Sequence, residues 1–368
     1  MKIIFKTQQL IEKIKNLAPT AEAKQTLIIL GNLKFSINEG VATITASDLE
    51  IEVTSTVPCE FDEGGTFTLP GKKFLEICNA LSSHDQITVT IRADKADITA
   101  GKSKVSLPTL NAEDFPLMTY ESKEEKTKIS ASELGNIISK TSFAMAYQDA
   151  RHFLNGLHIC NDNGKLTSVC TDGHRLAKYT SNINISEDLS IIVPRKAIME
   201  INRILASFND SKELLIEFNT TKNNFIIQIA DYLLVSKLIE GNYPNFNKVI
   251  PESTKSKITI NKLTLKNSLN IISKVVNQQY KGVKLTPSNS SLHLISSNTE
   301  SEVGEDQIDA KYDGEELSIG FNISYIQDVI DVLESETLSI CLNDQNSGCI
   351  LMGDNDGSSV FVIMPMRV

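Results

Sequence analysis

The sequence predicts an α+β protein of three similar domains, each with two helices against antiparallel sheet. Two helix-bearing patterns recur along the 368 residues with one shared period, and the segments between them alternate like strands.

The first pattern is a short strand, a turn and an amphipathic helix. It occurs as KIIFKTQQLIEKIKNL from Lys2, KISASELGNIISKTSF from Lys128 and KITINKLTLKNSLNIISKVV from Lys257. Leu10, Ile14 and Leu17 share a face in the first helix, with Ile11 beside them. Leu134, Ile137, Ile138 and Thr141 do so in the second, and Leu265, Leu269, Ile272 and Val276 in the third. These are the spacings of a half-buried helix. Ser130 and Glu133 fit a capping box for the second. The other pattern is FTLPGKKFLEICNAL ending at Leu81, SIIVPRKAIMEINRIL ending at Leu205 and LSIGFNISYIQDVIDVL ending at Leu333. Its terminal leucines lie 124 and 128 residues apart, against 125 and 129 for Ile4, Ile129 and Ile258 of the first pattern. Two independent markers therefore agree on the repeat.

Segments such as VATITASDLEIEVTSTV, QITVTIRADKADITAGKSKVSL and NNFIIQIADYLLVSKLI are rich in Val, Ile and Thr and are broken by Gly, Asp and Asn turns. They read as strands. The polar stretches Tyr120–Lys128 and Pro251–Lys257 are the expected linkers. Domains are expected at 1–122, 123–253 and 254–368.

Apolar residues make up 41% of the chain, enough for a core in each domain. No apolar run approaches the ~18 residues of a membrane span, and the N-terminus lacks a signal-peptide pattern. A cytoplasmic protein is expected. The six cysteines show no CxxC spacing and read as buried apolar residues, with no cofactor or metal expected. His152 and His158 are six apart on an expected strand and read as structural.

Triplication argues against a single catalytic centre. There is no GxGxxG. AGKSK at Ala100–Lys104 resembles the end of a phosphate-binding loop, but Ala96 stands where that motif needs glycine and a strand follows where it needs a helix. TDGHRLA at Thr171–Ala177 is the sharpest polar group: an Asp-Gly turn presenting His174 and Arg175. As an enzyme site, Asp172 would orient His174 as a base. As a turn, it would shape a binding surface.

With these strings the chain resembles the bacterial sliding-clamp family, the β subunits of DNA polymerase III. Collinear matches are LGNL at Leu30–Leu33, FLNG at Phe153–Gly156, TDGHRLA, IVPRKA at Ile192–Ala197, EGNYPNF at Glu240–Phe246, IGFNISYI at Ile319–Ile326 and the terminal VIMPMRV. The resemblance implies a non-enzymatic, head-to-tail homodimeric ring of six domains. Helices would line a hole for double-stranded DNA, bound without regard to sequence. It implies as partners the polymerase catalytic subunit, the clamp loader and other clamp-motif proteins. They would dock in a pocket of Leu154, Thr171, Gly173, His174, Arg175, Leu176, Pro244, Lys248, Val249, Tyr325, Asn346, Val362, Met364, Pro365 and Met366. Lys248 stands where an arginine is common, Asn346 where an apolar residue is, and Val368 replaces a terminal leucine. The rival readings are a monomeric repeat scaffold that binds peptides and an enzyme using Asp172, His174 and Arg175.

The net charge of −10 opposes DNA binding only if it is evenly spread. The six expected helices together carry +4, and only the last, Asn322–Glu334, is acidic. Positions matching family DNA contacts are Lys24, Lys72, Gln148, Arg151 and Lys196. Arg203 lies on an expected hole-lining helix. The dimer seam is expected to join Lys102, Lys104, Val105 and Leu107 to Lys274, Val275, Glu300, Glu302 and Glu305, basic edge to acidic edge.

Overall fold

A computed structural model describes the chain except residues 22–26, 122–125, 187, 209–213, 355 and 368. Lys24, Val368 and the expected border after residue 122 thus lie outside the described residues.

The first repeat runs β1 (Lys2–Lys6), α1 (Thr7–Leu17), β2 (Asn32–Asn38), β3 (Val41–Ser47), β4 (Ile51–Phe61), β5 (Gly65–Pro70), α2 (Gly71–Ala80), β6 (Gln86–Arg92), β7 (Lys95–Ala100) and β8 (Ser103–Pro108). The second runs β9 (Thr127–Ser130), α3 (Ala131–Thr141), β10 (Gly156–Asp162), β11 (Lys165–Thr171), β12 (Arg175–Asn184), β13 (Ser190–Pro194), α4 (Arg195–Ala206), β14 (Leu215–Thr220), β15 (Asn224–Ile229) and β16 (Tyr232–Lys237). The third runs β17 (Ser256–Asn261), α5 (Lys262–Ile272), β18 (Gly282–Pro287), β19 (Ser291–Ser297), β20 (Val303–Asp309), β21 (Lys311–Tyr312), β22 (Ile319–Asn322), α6 (Ile323–Val332), β23 (Thr337–Leu342), β24 (Cys349–Gly353) and β25 (Ser359–Ile363). Apart from the two-residue β21, each repeat is one motif used twice: a strand, a helix and three more strands.

The helices form where the apolar spacing placed them, except that α5 stops at Ile272, short of the expected Val276. Leu10, Ile14 and Leu17 of α1, Ile137 and Ile138 of α3, and Leu265, Leu269 and Ile272 of α5 are buried. Ser130 Oγ accepts from the Glu133 amide at 3.2 Å, one half of the expected capping box. Asn261 and Asn322 cap α5 and α6 in the same way, taking the amides of Thr264 and Ser324.

The chain divides into two units, Met1–Leu134 with Lys196–Leu238, and Gly135–Arg195 with Ile239–Val368. In the first unit one sheet runs β8-β7-β6-β1-β4-β16-β15-β14-β9, with β3, β2 and β5 continuing from β4. In the second, one sheet runs β13-β10-β11-β12-β25-β24-β23-β17-β21 and another β20-β19-β18-β22. Two of these ladders cross from one repeat to another, and both are antiparallel. β16 pairs with β4 (Leu233↔Thr54 to Ser236↔Ile51), and β25 pairs with β12 (Arg175↔Ile363 to Tyr179↔Ser359). No helix among the described residues is long and apolar enough to cross a membrane.

Candidate functional site

The TDGHRLA turn links β11 to β12. Gly173 has φ +89°, a left-handed conformation that favours glycine, and packs against the Arg151 guanidinium, 3.1 Å from where a Cβ would sit. Asp172 Oδ1 accepts from the amides of His174 (2.9 Å) and Arg175 (3.0 Å), and Thr171 Oγ1 accepts from the Gly173 amide (3.1 Å). The other Asp172 oxygen takes Arg175 Nε at 3.0 Å. The Arg175 guanidinium also donates to Asp328 of α6 and, at 2.6 Å, to the Phe143 carbonyl. It lies 4.4 Å from the centroid of the Tyr325 ring and 5.4 Å from that of Phe143. The Asp172 carboxylate, which the enzyme reading would use to orient His174, thus takes two amides and Arg175 Nε. Arg175 itself is half-buried and fully engaged by these partners.

The chain's last strand completes the surface. Leu176 and Val362 are direct neighbours across β12 and β25. The Met364 amide then donates to the His174 carbonyl and the Met366 amide to the Gly320 carbonyl, both at 2.8 Å. Leu176 and Val362 belong to a buried apolar cluster with Cys160, Val169, Phe246 and Ile350, edged by Tyr243 and Ile250. Leu154 is also buried. Thr171, Tyr325, Met364, Pro365 and Met366 are half-buried. Gly173, His174, Pro244, Lys248, Val249 and Asn346 are exposed. The result is an apolar floor with a half-open rim and a main-chain-pinned tail, a surface suited to an apolar peptide anchor.

Tyr243 and Phe246, both in the EGNYPNF string but not among the expected pocket residues, build and edge this apolar floor. Tyr243 stacks on His158 with ring centroids 4.4 Å apart. Burial pushes the His158 imidazole down to about 4, against which its contact with the Ile191 carbonyl acts only in part. The expectation that His152 shares the strand with it does not hold. The peptide bends into a short 3-10 turn at His152–Leu154 before β10 begins, and His152 is exposed. Among the described residues no His, Cys, Asp and Glu group could hold a metal ion. The six cysteines are free thiols, five of them buried. AGKSK forms the β7–β8 hairpin, with Gly101 at φ +56°.

The charged positions divide. Lys72 is exposed on α2. Gln148 is exposed at φ +54°. Arg151 is half exposed and pairs at 2.9 Å with Asp149, whose carboxyl its hydrogen bonds hold down to about 2. Two expected outward cations are instead turned to buried carboxylates. Lys196 pairs with Asp48 at 2.5 Å, and Arg203 bonds Glu200 and the Asn16 carbonyl. The acidic last helix is neutralised inside its own unit. Asp328 meets Arg175, Asp331 meets Lys266 at 2.7 Å, and Glu334 meets Lys140 at 2.9 Å.

The two expected seam strands, β8 and β20, each end a sheet. Lys102 is exposed in the hairpin turn, Lys104 pairs with Asp97 of its own domain at 3.0 Å, and Val105 is 38% exposed. Leu107, on the same face of β8 as Val105, is 8% exposed in the single chain. Glu300, Glu302 and Glu305 are exposed, the last bonded to His293 at 2.7 Å. Lys274 is exposed, while half-buried Val275 sits against Gly304, where a Cβ would lie 2.5 Å from its methyl.

Comparison with known proteins covers the whole chain. Residues 1–119, 128–245 and 247–367 match the N-terminal, central and C-terminal domains of the DNA polymerase III beta subunit. The beta sliding clamp of Haemophilus influenzae is 35% identical, with all of both chains covered. The crystal structure of the DNA polymerase III subunit beta from Pseudomonas aeruginosa superposes with a TM-score of 0.93 at 31% identity, covering all of both chains. The Bartonella birtlesii sliding clamp, solved bound to griselimycin, gives 0.95 at 27% identity with the same coverage.

Proposed function

The chain belongs to the family of bacterial sliding clamps, the DNA polymerase III β subunits, and from that premise we infer that it is the replicative clamp: a ring that encircles duplex DNA, slides on it and tethers the polymerase. We assign its domains to residues 1–122, 123–253 and 254–368, and place it in the cytoplasm with the chromosome.

The observation that carries the ring is a pairing rule left incomplete. The last strand of the second repeat, β16, docks on β4 of the first, and the last strand of the third, β25, docks on β12 of the second. By the same rule β20 of the third repeat should receive the last strand of a first repeat, β8. Within one chain both are left as sheet edges. Exposed edges call for a partner or for protection. Joining β20 of one copy to β8 of the next, twice, closes a head-to-tail dimer of six domains. The charges favour this direction, with Lys102 on one edge and Glu300, Glu302 and Glu305 on the other.

DNA contacts then fall to Lys72, Gln148 and Arg151, with Lys196 and Arg203 serving the fold. They are directed at phosphate, because base readout would pin a sliding ring at one sequence. The patch around Leu176, Val362 and Met364 receives short apolar anchors of the polymerase, the clamp loader and other clamp-motif proteins. We assign no catalytic step, since the turn's carboxylate is occupied. Native mass spectrometry tests the assembly: twice the mass of one chain is expected, and a single-chain species at micromolar concentration would contradict it.

A further inference from the structure

A second recess lies beside the apolar patch. It is a groove of about 510 Å³ whose lining includes Lys284, Ser318, Asn346, Pro365, Met366 and Arg367. Asn346, Pro365 and Met366 also belong to the patch, so the two surfaces are continuous. The groove differs in character. Two cations line it and, among the described residues, no carboxylate does. Lys284 lies on the exposed side of β18, facing Gly320 of β22 in register, and forms no ion pair among the described residues. The nearest carboxylate in sequence, Asp344, is turned into its own loop. It accepts from the amides of Asn346 and Ser347, each at 2.8 Å, and from the Ser347 hydroxyl. Those bonds hold its carboxyl below the usual range. The tail forming one wall is fixed by the bond from the Met366 amide to Gly320.

We propose that this groove binds an acidic segment flanking the apolar anchor of a docking peptide, with Lys284 as the residue that selects for it. The inference rests on the peptide-docking reading above and adds a charge preference to it. A cationic groove continuous with an apolar floor favours partners whose anchor is followed or preceded by Asp or Glu. The contacts are solvent-exposed, so each adds little and salt weakens it.

The test is fluorescence anisotropy on the full-length protein with three labelled peptides. Each carries the same leucine–phenylalanine anchor. One has neutral flanks, one has two Asp before the anchor and one has two Asp after it. In low salt one acidic peptide should bind about threefold to tenfold more tightly than the neutral one, as two exposed pairs allow. Lys284→Glu should abolish that gain, leave the neutral peptide's affinity unchanged and preserve the thermal transition. Equal affinity of all three peptides, or a gain that survives Lys284→Glu, would overturn the proposal while leaving the apolar patch intact. Failure of the neutral peptide to bind at all would remove the docking reading and this one with it. Loss of the acidic gain to a competing single-stranded oligonucleotide, with Lys284→Glu weakening the oligonucleotide but not the acidic peptide, would make the groove a nucleic-acid contact and overturn the proposal.

Discussion

The two internal seams use one construction and differ in what they leave exposed. Each joins repeats by an antiparallel ladder, β4 with β16 or β12 with β25. In the first unit the polar side chains beside the ladder bond one another, with only Arg203 Nε of this set left unpartnered. Lys13 meets Asp231 at 2.5 Å and lies over the Tyr232 ring, Asn16 bonds the Tyr232 hydroxyl at 3.1 Å, Thr20 donates to Glu200, and Arg203 bridges Glu200 and the Asn16 carbonyl. In the second unit a single arginine, Arg175, gathers Asp172, Asp328 and the Phe143 carbonyl beneath two aromatic rings. With Lys178 of the ladder meeting Asp162 at 2.7 Å on the other side, Met364, Tyr325 and Val249 are left at the surface over an apolar floor. One seam is a closed joint, and the other is a joint with a docking face.

That difference predicts unequal sensitivity. Arg175→Ala should lower stability by about 1–3 kcal/mol, the scale for leaving hydrogen-bonded partners of a half-buried charged group unsatisfied. Arg175→Lys should not restore it, because an ammonium cannot replace the planar fork. Urea unfolding reads both, and a change under 1 kcal/mol would show that Arg175 is an ordinary surface pair.

The seams should also answer acid with opposite signs. In the second unit His158 is pushed down to about 4 by burial, from 6.5 when unfolded. A depressed native value means its contribution is present above pH 6.5 and lost as the pH falls toward 4. The loss is up to about 3 kcal/mol. His158→Phe should flatten that limb of a pH–stability profile, and an unchanged slope would contradict the burial argument. Next in size, replacing His174 and Met364 together by Ala should weaken an anchor peptide by ~2 kcal/mol while the dimer survives. Unaltered affinity in a titration would remove the rim from the docking face.

The smallest effect belongs to the closed joint. Burial raises the Glu200 carboxyl above its ordinary value, with Arg203 opposing. A raised native value gives stability that is full below about pH 4.5 and declines as the pH rises through the native value. Glu200→Gln should remove that decline, and a variant whose profile still falls would place its origin elsewhere.

Much of this was readable in advance because periodicity is local. All six helices lie where apolar spacing put them, and α2 and α4 keep their expected starts at Gly71 and Arg195. Pairing is not local, and there the reading failed. Arg203 looks like a free cation on a helix until the Asn16 carbonyl, 187 positions away, is beside it. The acidic charge of the last helix looks hostile to DNA until Asp328 finds Arg175 at a separation of 153 and Asp331 finds Lys266 at 65. The docking patch was legible in part: its strings are collinear matches, whereas the stacking of Tyr243 on His158 exists only after folding.

The central claim is topological, and the retention of loaded protein on circular and linear DNA tests it. Binding to linear duplex should be independent of sequence and fall steeply with salt, as phosphate contacts do. Protein loaded onto a closed circle should persist through high salt, since linkage and not affinity holds it, and cutting the circle once should release it. If loaded protein leaves intact circles as fast as it leaves linear ends, the ring reading is wrong.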